Sequence, residues 1–190
     1  MTSLKTYALA LMFTLPLTAT AAPWVLDASH TRIGFAIDHM GYSTTYGQFK
    51  THQGTVDYDP AQPAQTKIKF TIDTTSLDTD WAPRDDHLLG ADFFNAKQHP
   101  TMTFVSSQYT PLGGNKARVD GQLTLLGMSQ PVTLDVTLNK HAVSPLTKLD
   151  TIGFKATTLI KRSQWGMTTF LPAVADEVHI SIDAELNPAQ

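Results

Sequence analysis

Val132, Leu134, Val136 and Leu138, opposed one for one by Thr133, Asp135, Thr137 and Asn139, make a strict period of two over eight residues. Such a period puts alternate side chains on opposite faces of an extended strand, so this segment is oily on one side and wet on the other. It recurs in Ile33 to Ile37, Lys67 to Asp73, Lys116 to Leu125, Ile152 to Ile160 and Val178 to Leu186. Trp24 to Leu26, Tyr46 to Gln53, Thr55 to Tyr58 and Thr101 to Ser107 also read as extended, with Gly47 and Gly54 as points of bend or bulge. Asp59 to Pro63, Gly113-Gly114-Asn115 and Gly127 to Gln130 are turn signals between them. About eight strands on short turns, without strand–helix–strand alternation, predict an all-β, antiparallel sheet. Eight such strands can close into a barrel that holds side chains or one slim ligand; a sandwich shares the same periods.

One stretch breaks the pattern. Arg84 to Pro100, RDDHLLGADFFNAKQHP, follows Pro83, which suits a first helical turn, and Asp85 and Asp86 fall where the helix dipole favours negative charge. Leu88 and Leu89 give it a small apolar face, Gly90 ends it, and Asp92-Phe93-Phe94 is expected to open a second short turn closed by His99-Pro100. This short helical segment is predicted to plug one end of the barrel, with an apolar ligand behind it.

Residues 1 to 22 read as a secretory signal: Lys5 is the only charge, Tyr7 to Leu17 is largely apolar, and Ala19-Thr20-Ala21 fits a cleavage site. Cleavage after Ala21 gives a signal peptide over 1–21 and one domain over 22–190, exported to the periplasm. A retained anchor is the other reading, but the run is shorter than the ~20 residues a spanning helix needs. Without Lys5 the chain carries 13 basic and 17 acidic residues and no basic stripe, which argues against nucleic acid and against electrostatic docking on anionic lipid. With no cysteine there is neither a disulfide nor a lipoprotein attachment site, so no stable membrane insertion is expected.

Catalytic signatures are missing. Asp85, Asp86, His87 and His99 are metal-capable residue types but show no fixed ligand spacing, no HExxH helix and no GxSxG elbow. No catalytic residue, metal or cofactor is assigned, and a metal-dependent enzyme ranks below two other readings: a lipid-binding barrel, and an exported stress-related structural or interaction protein whose barrel is filled.

Several spaced motifs carry a family resemblance: Asp27-x-x-His30-Thr31, Phe35-x-x-x-His39, Gly47-x-Phe49, Arg84-Asp85-x-His87-Leu88, Asp92-Phe93-Phe94, Gly121-x-Leu123-Thr124, Gly127-x-x-x-Pro131-Val132, Arg162-Ser163-x-Trp165-Gly166 and Asp176-Glu177-Val178. In order and spacing they resemble the YceI-like family of exported proteins. The resemblance implies a lipocalin-like antiparallel barrel that binds a polyisoprenoid, such as an isoprenoid quinone or a polyprenyl phosphate, in its interior. Leu126, Lys161 and Trp165 depart from residues common in that family and are expected to tune the head-group end.

The expected ligand-binding set has two parts. Phe35, Phe49, Phe70, Phe104 and Phe154 point inward from strands, joined by Leu88, Phe93 and Phe94 from the plug. They line a ligand tail or pack a solid core. Arg84 and Arg162, at boundaries between strand and irregular structure, could hold a phosphate or quinone carbonyl, with His30 and His39 beside the first long strand and Trp165 near Arg162. Their structural alternatives are an ion pair of Arg84 with a plug acid, strand-end capping by Arg162 with its stem on Trp165, and buried, satisfied histidines. Burying roughly 500 Å2 of tail would contribute on the order of 12 kcal/mol before entropic costs. The isoprenoid lipid is the expected partner, and a homodimer is left open.

Overall fold

The computed structural model describes residues 23–189, so the expected leader and its cleavage point lie outside the described residues. In chain order the strands are β1 Trp24–Leu26, β2 Arg32–His39, β3 Ser43–Phe49, β4 His52–Asp57, β5 Lys67–Asp73, β6 Leu77–Asp78, β7 Thr101–Gly113, β8 Lys116–Leu125, β9 Met128–Val143, β10 Asp150–Lys161 and β11 Val174–Pro188. One helix, α1, spans Ala82–Leu89. β1 and β2 are a single long strand interrupted by a 3-10 turn at Ala28–His30, and β3 and β4 are another broken at Lys50 and Thr51. Every pairing is antiparallel, and β1 joins both β4 and β11, which closes an eight-stranded barrel with no free edge along that circuit.

Register explains the choice of inward residues. Phe70 pairs with Phe104, Ile180 with Phe35, and Ile33 with Phe49, so apolar faces meet across neighbouring strands. Gly47 and Gly54 differ from their expected role, because the ladder runs through both without a shift. They are seats for rings: a Cβ on Gly47 would stand 2.3 Å from Phe35 Cζ, and one on Gly54 1.9 Å from Phe70 Cδ1. Gly121 seats Phe104 in the same way, at 2.5 Å. The register shifts fall elsewhere: at Ser106/Gln108 and Pro111/Gly113 in β7, at Asn139 of β9 opposite Gly153 and Phe154, and between Val174 and Val178 of β11.

From Thr79 to Pro100 the chain leaves the sheet and crosses the end of the barrel where β2, β8 and β10 finish. α1 has no side-chain N-cap; instead the Asp85 carboxylate turns back to accept from the Thr79 amide at 2.9 Å and from its hydroxyl. Gly90 ends the helix at an ordinary φ of −70°, its N–H donating to the His87 carbonyl. The expected second helical turn at Asp92 is a series of plain turns, in which the Asn95 carbonyl accepts from the amides of Gln98 and His99. No residue of α1 itself is buried; Phe93 and Ala96 just beyond it anchor the segment in the barrel.

Candidate functional site

The barrel is packed in one half and hollow in the other. In the packed half Trp24, Val56, Val119, Ile152, Ala184 and Leu186 form the core. Toward α1 the inward residues of the same strands surround a cavity of about 450 Å3, within the range of small-molecule pockets. Its wall is Ile33, Phe35, Ile37 and His39 of β2, Val132 and Leu134 of β9, Ile160 of β10, Val178, Ile180 and Ile182 of β11, and their neighbours. Phe70 and Phe104, seated on Gly54 and Gly121, line its inner limit. The six steps from Ile33 to His39 extend about 20 Å along the strand at ~3.3 Å per residue. With a strand tilt of roughly 40° the axial depth is about 15 Å.

The plug lines the other end. Pro83, Arg84, His87 and Leu88 of α1 face the cavity together with Phe93 and Phe94. Phe94 packs edge-on against Phe49 with ring centres 5.5 Å apart, and Phe49 lies 6.0 Å from Phe35. Phe93 packs against His87 at 5.1 Å and against Phe170 at 6.0 Å. These offset and edge contacts hold the segment by aromatic packing where helix propensity alone could not keep an eight-residue helix formed.

Arg84 is the polar feature of the mouth. Its Nε donates to Thr79 Oγ1 at 2.7 Å and its Nη2 to the Thr79 carbonyl, while the guanidinium stands 5.7 Å from the Trp81 ring. Among the described residues no carboxylate lies within ion-pair distance of it, and Asp85 is engaged with Thr79 instead. The guanidinium therefore has no direct ion pair; Asp85 reaches it only through the shared Thr79 hydroxyl, and Nη1 makes no hydrogen bond within the protein. Arg162 is the opposite case. It is 3 % exposed, and Nε, Nη1 and Nη2 donate to the carbonyls of Ala175, Met167 and Val174 at 2.9, 3.0 and 3.0 Å. Burial lowers its pKa while Asp176 opposes that shift. Asp176 is itself pushed up by burial, an effect outweighed by the amide and hydroxyl of Ser163, which hold it below the usual range. Arg162 thus ties the β11 entry to the end of β10 and offers the cavity mainly its stem.

Ten of the thirteen expected ligand residues come together on the cavity wall: Phe35, His39, Phe49, Phe70, Arg84, Leu88, Phe93, Phe94, Phe104 and Arg162. Three stand apart. Phe154 packs against the core from the filled half. Trp165 is fully buried, its indole N–H donating to the Leu123 carbonyl at 3.1 Å. His30 lies exposed in the turn between β1 and β2, its Nδ1 3.0 Å from Asp27 Oδ2. Three mouth residues carried no periodic signal in the sequence: Trp81, Met167 and Phe170 sit in irregular segments and meet only across the closed fold.

Asp27 and His30 also form the point where metal-capable groups converge, since Glu185 brings a third ligand atom within 4.8 Å of theirs. Asp27 is already engaged, accepting from the Ser29 amide and hydroxyl at 2.9 and 2.6 Å. The Ser29 bonds and then His30 pull its pKa down to about 2, and the Asp27 carboxylate in turn raises that of His30. The cluster is a hydrogen-bonded turn on the outer wall, remote from the cavity. No helix among the described residues is long and apolar enough to cross a membrane.

The YceI-like domain model matches residues 24–186. Protein YceI of Escherichia coli O157:H7 is 38% identical over 169 residues, 88% of this chain and 87% of that protein. Among solved structures, Burkholderia cenocepacia BcnA superposes with a TM-score of 0.77 at 34% identity, over 84% of this chain and 98% of that one. The Campylobacter jejuni YCEI protein gives 0.73 at 31% identity, over 95% and 100%. A polyisoprenoid binding domain from Saccharophagus degradans shares the fold, with a TM-score of 0.65 at 14% identity over 89% and 99%. A family match across nearly every described residue, on a barrel closed in the same way, means that this chain belongs to the YceI-like family.

Proposed function

We propose that the protein binds the hydrocarbon of an isoprenoid lipid, an isoprenoid quinone or a polyprenyl phosphate, in the hollow half of its barrel and carries it through the periplasm without chemical change. The observation that carries this reading is the apolar cavity of about 450 Å3, closed at one end by packed side chains and capped at the other by α1 with Arg84 at its mouth. Tail goes inward and head group outward, because the inner limit is hydrocarbon and the Arg84 guanidinium, with no direct ion pair, is at the mouth. Membership of the YceI-like family and the shared fold of a domain described as polyisoprenoid binding support the cargo class. The leader-like residues 1–21 support export. The hollow disfavours a structural protein with a filled barrel. An axial depth of about 15 Å means that a long chain must fold inside or leave its far end at the mouth.

The test is organic extraction of protein purified from an exporting host, followed by mass spectrometry and by titration of stripped protein with a prenyl phosphate and its alcohol. A co-purified prenyl lipid is expected, and Arg84→Ala should weaken the phosphate about tenfold or more while leaving the alcohol within about threefold, the range of a lost charged hydrogen bond. Stripped protein that takes up neither chain would refute cargo binding; equal loss of both would make Arg84 structural.

A further inference from the structure

We infer that the mouth end of the barrel docks on the surface of a neutral, zwitterionic bilayer through Met40, Tyr42, Trp81 and Phe170. Every exposed aromatic residue among the described residues stands toward this end: Tyr42 is 88 % exposed, Tyr46 63 %, Trp81 58 % and Phe170 55 %. Met40 and Tyr42 form the tip of the β2–β3 hairpin, directly after the cavity-lining His39. Trp81 and Phe170 are at once solvent-exposed and part of the cavity wall, so on their side the apolar interior reaches the outer rim, with Arg84 and His87 beside them. At the opposite end the exposed apolar residues Leu112, Val143 and Leu146 are aliphatic and stand over the packed half, with no opening behind them.

Aromatic side chains with a polar edge concentrate where a bilayer meets water, and a contiguous exposed apolar rim marks an interaction surface. Charge selects the lipid. Asp38 holds the hairpin tip, Asp80 precedes Trp81, Asp86 lies on α1, Asp92 meets Thr169 and Glu177 opposes Lys161 at the end of β10. With Arg84, this end therefore has no net positive charge to attract anionic head groups. Docking there would bring the mouth to the source of a membrane lipid, so the inference deepens the cargo reading and rests on it for its purpose.

The chain has three tryptophans, and Trp24 and Trp165 are buried, so a fluorescence change on adding vesicles reports on Trp81. Purified protein is mixed with cargo-free phosphatidylcholine vesicles, with and without brominated acyl chains, and partition is measured in parallel by sedimentation. A blue shift, bromine quenching and co-sedimentation are expected. Met40→Asn with Tyr42→Ser, neither of which lines the cavity, should weaken partition about tenfold while binding of a short water-soluble prenol is unchanged. Leu146→Ser at the far end should leave partition unaltered. No partition up to millimolar lipid, partition only onto phosphatidylglycerol, loss caused by Leu146→Ser, or a dimer that buries Trp81 without lipid would each overturn the inference. Prenol binding without vesicle partition would refute docking and leave carriage standing; vesicle partition without prenol binding would do the reverse.

Discussion

Replacing Gly54 by alanine places a methyl group 1.9 Å from Phe70 Cδ1, 2.4 Å from its Cε1 and 3.0 Å from Leu26 Cδ1. Carbon atoms rest at about 3.5–4.0 Å, so the ring must retreat by roughly 2 Å. Behind it is the cavity, which lets the ring swing where a filled core would force the strands apart. Overpacking of this kind costs about 1–3 kcal/mol, partly offset by the ~0.4–1 kcal/mol that alanine removes from the freedom of the unfolded chain. For a domain of this size each kcal/mol moves Tm by about 2–4 °C. The assay is urea unfolding of Gly54→Ala, Phe70→Leu and the double variant, with the cavity probed by prenol binding. The double-variant cycle should show coupling of about 0.5–3 kcal/mol, since leucine vacates the space the methyl group needs. Binding should weaken in Gly54→Ala alone, because the displaced ring occupies the cavity floor. Gly153, whose added Cβ would meet nothing closer than 4.0 Å, is the control and should tolerate alanine without loss. Strictly additive effects, or a Gly54→Ala protein as stable as the parent, would refute the reading of this glycine as a ring seat.

Arg162→Met, which strands the carbonyls of Ala175, Met167 and Val174, should destabilise by about 3–5 kcal/mol in urea unfolding and loosen the β11 entry in hydrogen exchange, whereas a merely peripheral arginine would cost under about 1 kcal/mol. The Asp27–His30 pair should make stability depend on pH at both ends. Asp27 is depressed from 3.8 to about 2, so its contribution is present above 3.8 and lost as pH falls toward 2; His30 is raised from 6.5, so its contribution is complete below 6.5 and lost as pH rises through its folded value. The difference in urea midpoint between the parent and Asp27→Asn should therefore be largest near pH 5 and shrink on either side. A difference that stays constant from pH 2 to 8 would contradict the pairing.

Strand positions were legible because a half-buried strand must alternate. Lys67–Asp73 and Lys116–Leu125 begin and end where their sequence periods do, and the all-β antiparallel class follows from the order of those periods. Closure into a barrel, where a sandwich's periods would look the same, rests instead on β1 pairing with both β4 and β11. The motifs also identified the family, and the plug was readable from Pro83, the two aspartates and the Phe93-Phe94 pair. Of the thirteen expected ligand residues ten share one wall; for Phe35, Phe49, Phe70 and Phe104 the period names the inward face, while Arg84, Leu88, Phe93 and Phe94 reach it from the plug.

Height along the barrel axis was not legible, and it separates the sites. Phe104 and Phe154 alternate inward alike, yet one borders the cavity and the other packs the closed half, because hollow or filled depends on the summed side-chain volume of all eight strands at one level. Glycine spacing could not tell a bulge from a ring seat, since the ring comes from the neighbouring strand at Phe35 or Phe70. Trp81 and Phe170 lie in irregular chain with no period to mark them, and Glu185 reaches Asp27 only after the last strand closes on the first. The sequence by itself determined which side of each strand is apolar, because that is a local property of alternating residues; barrel closure alone decided where the interior is empty and which loop residues stand at its opening, because both depend on what the other strands bring to the same height.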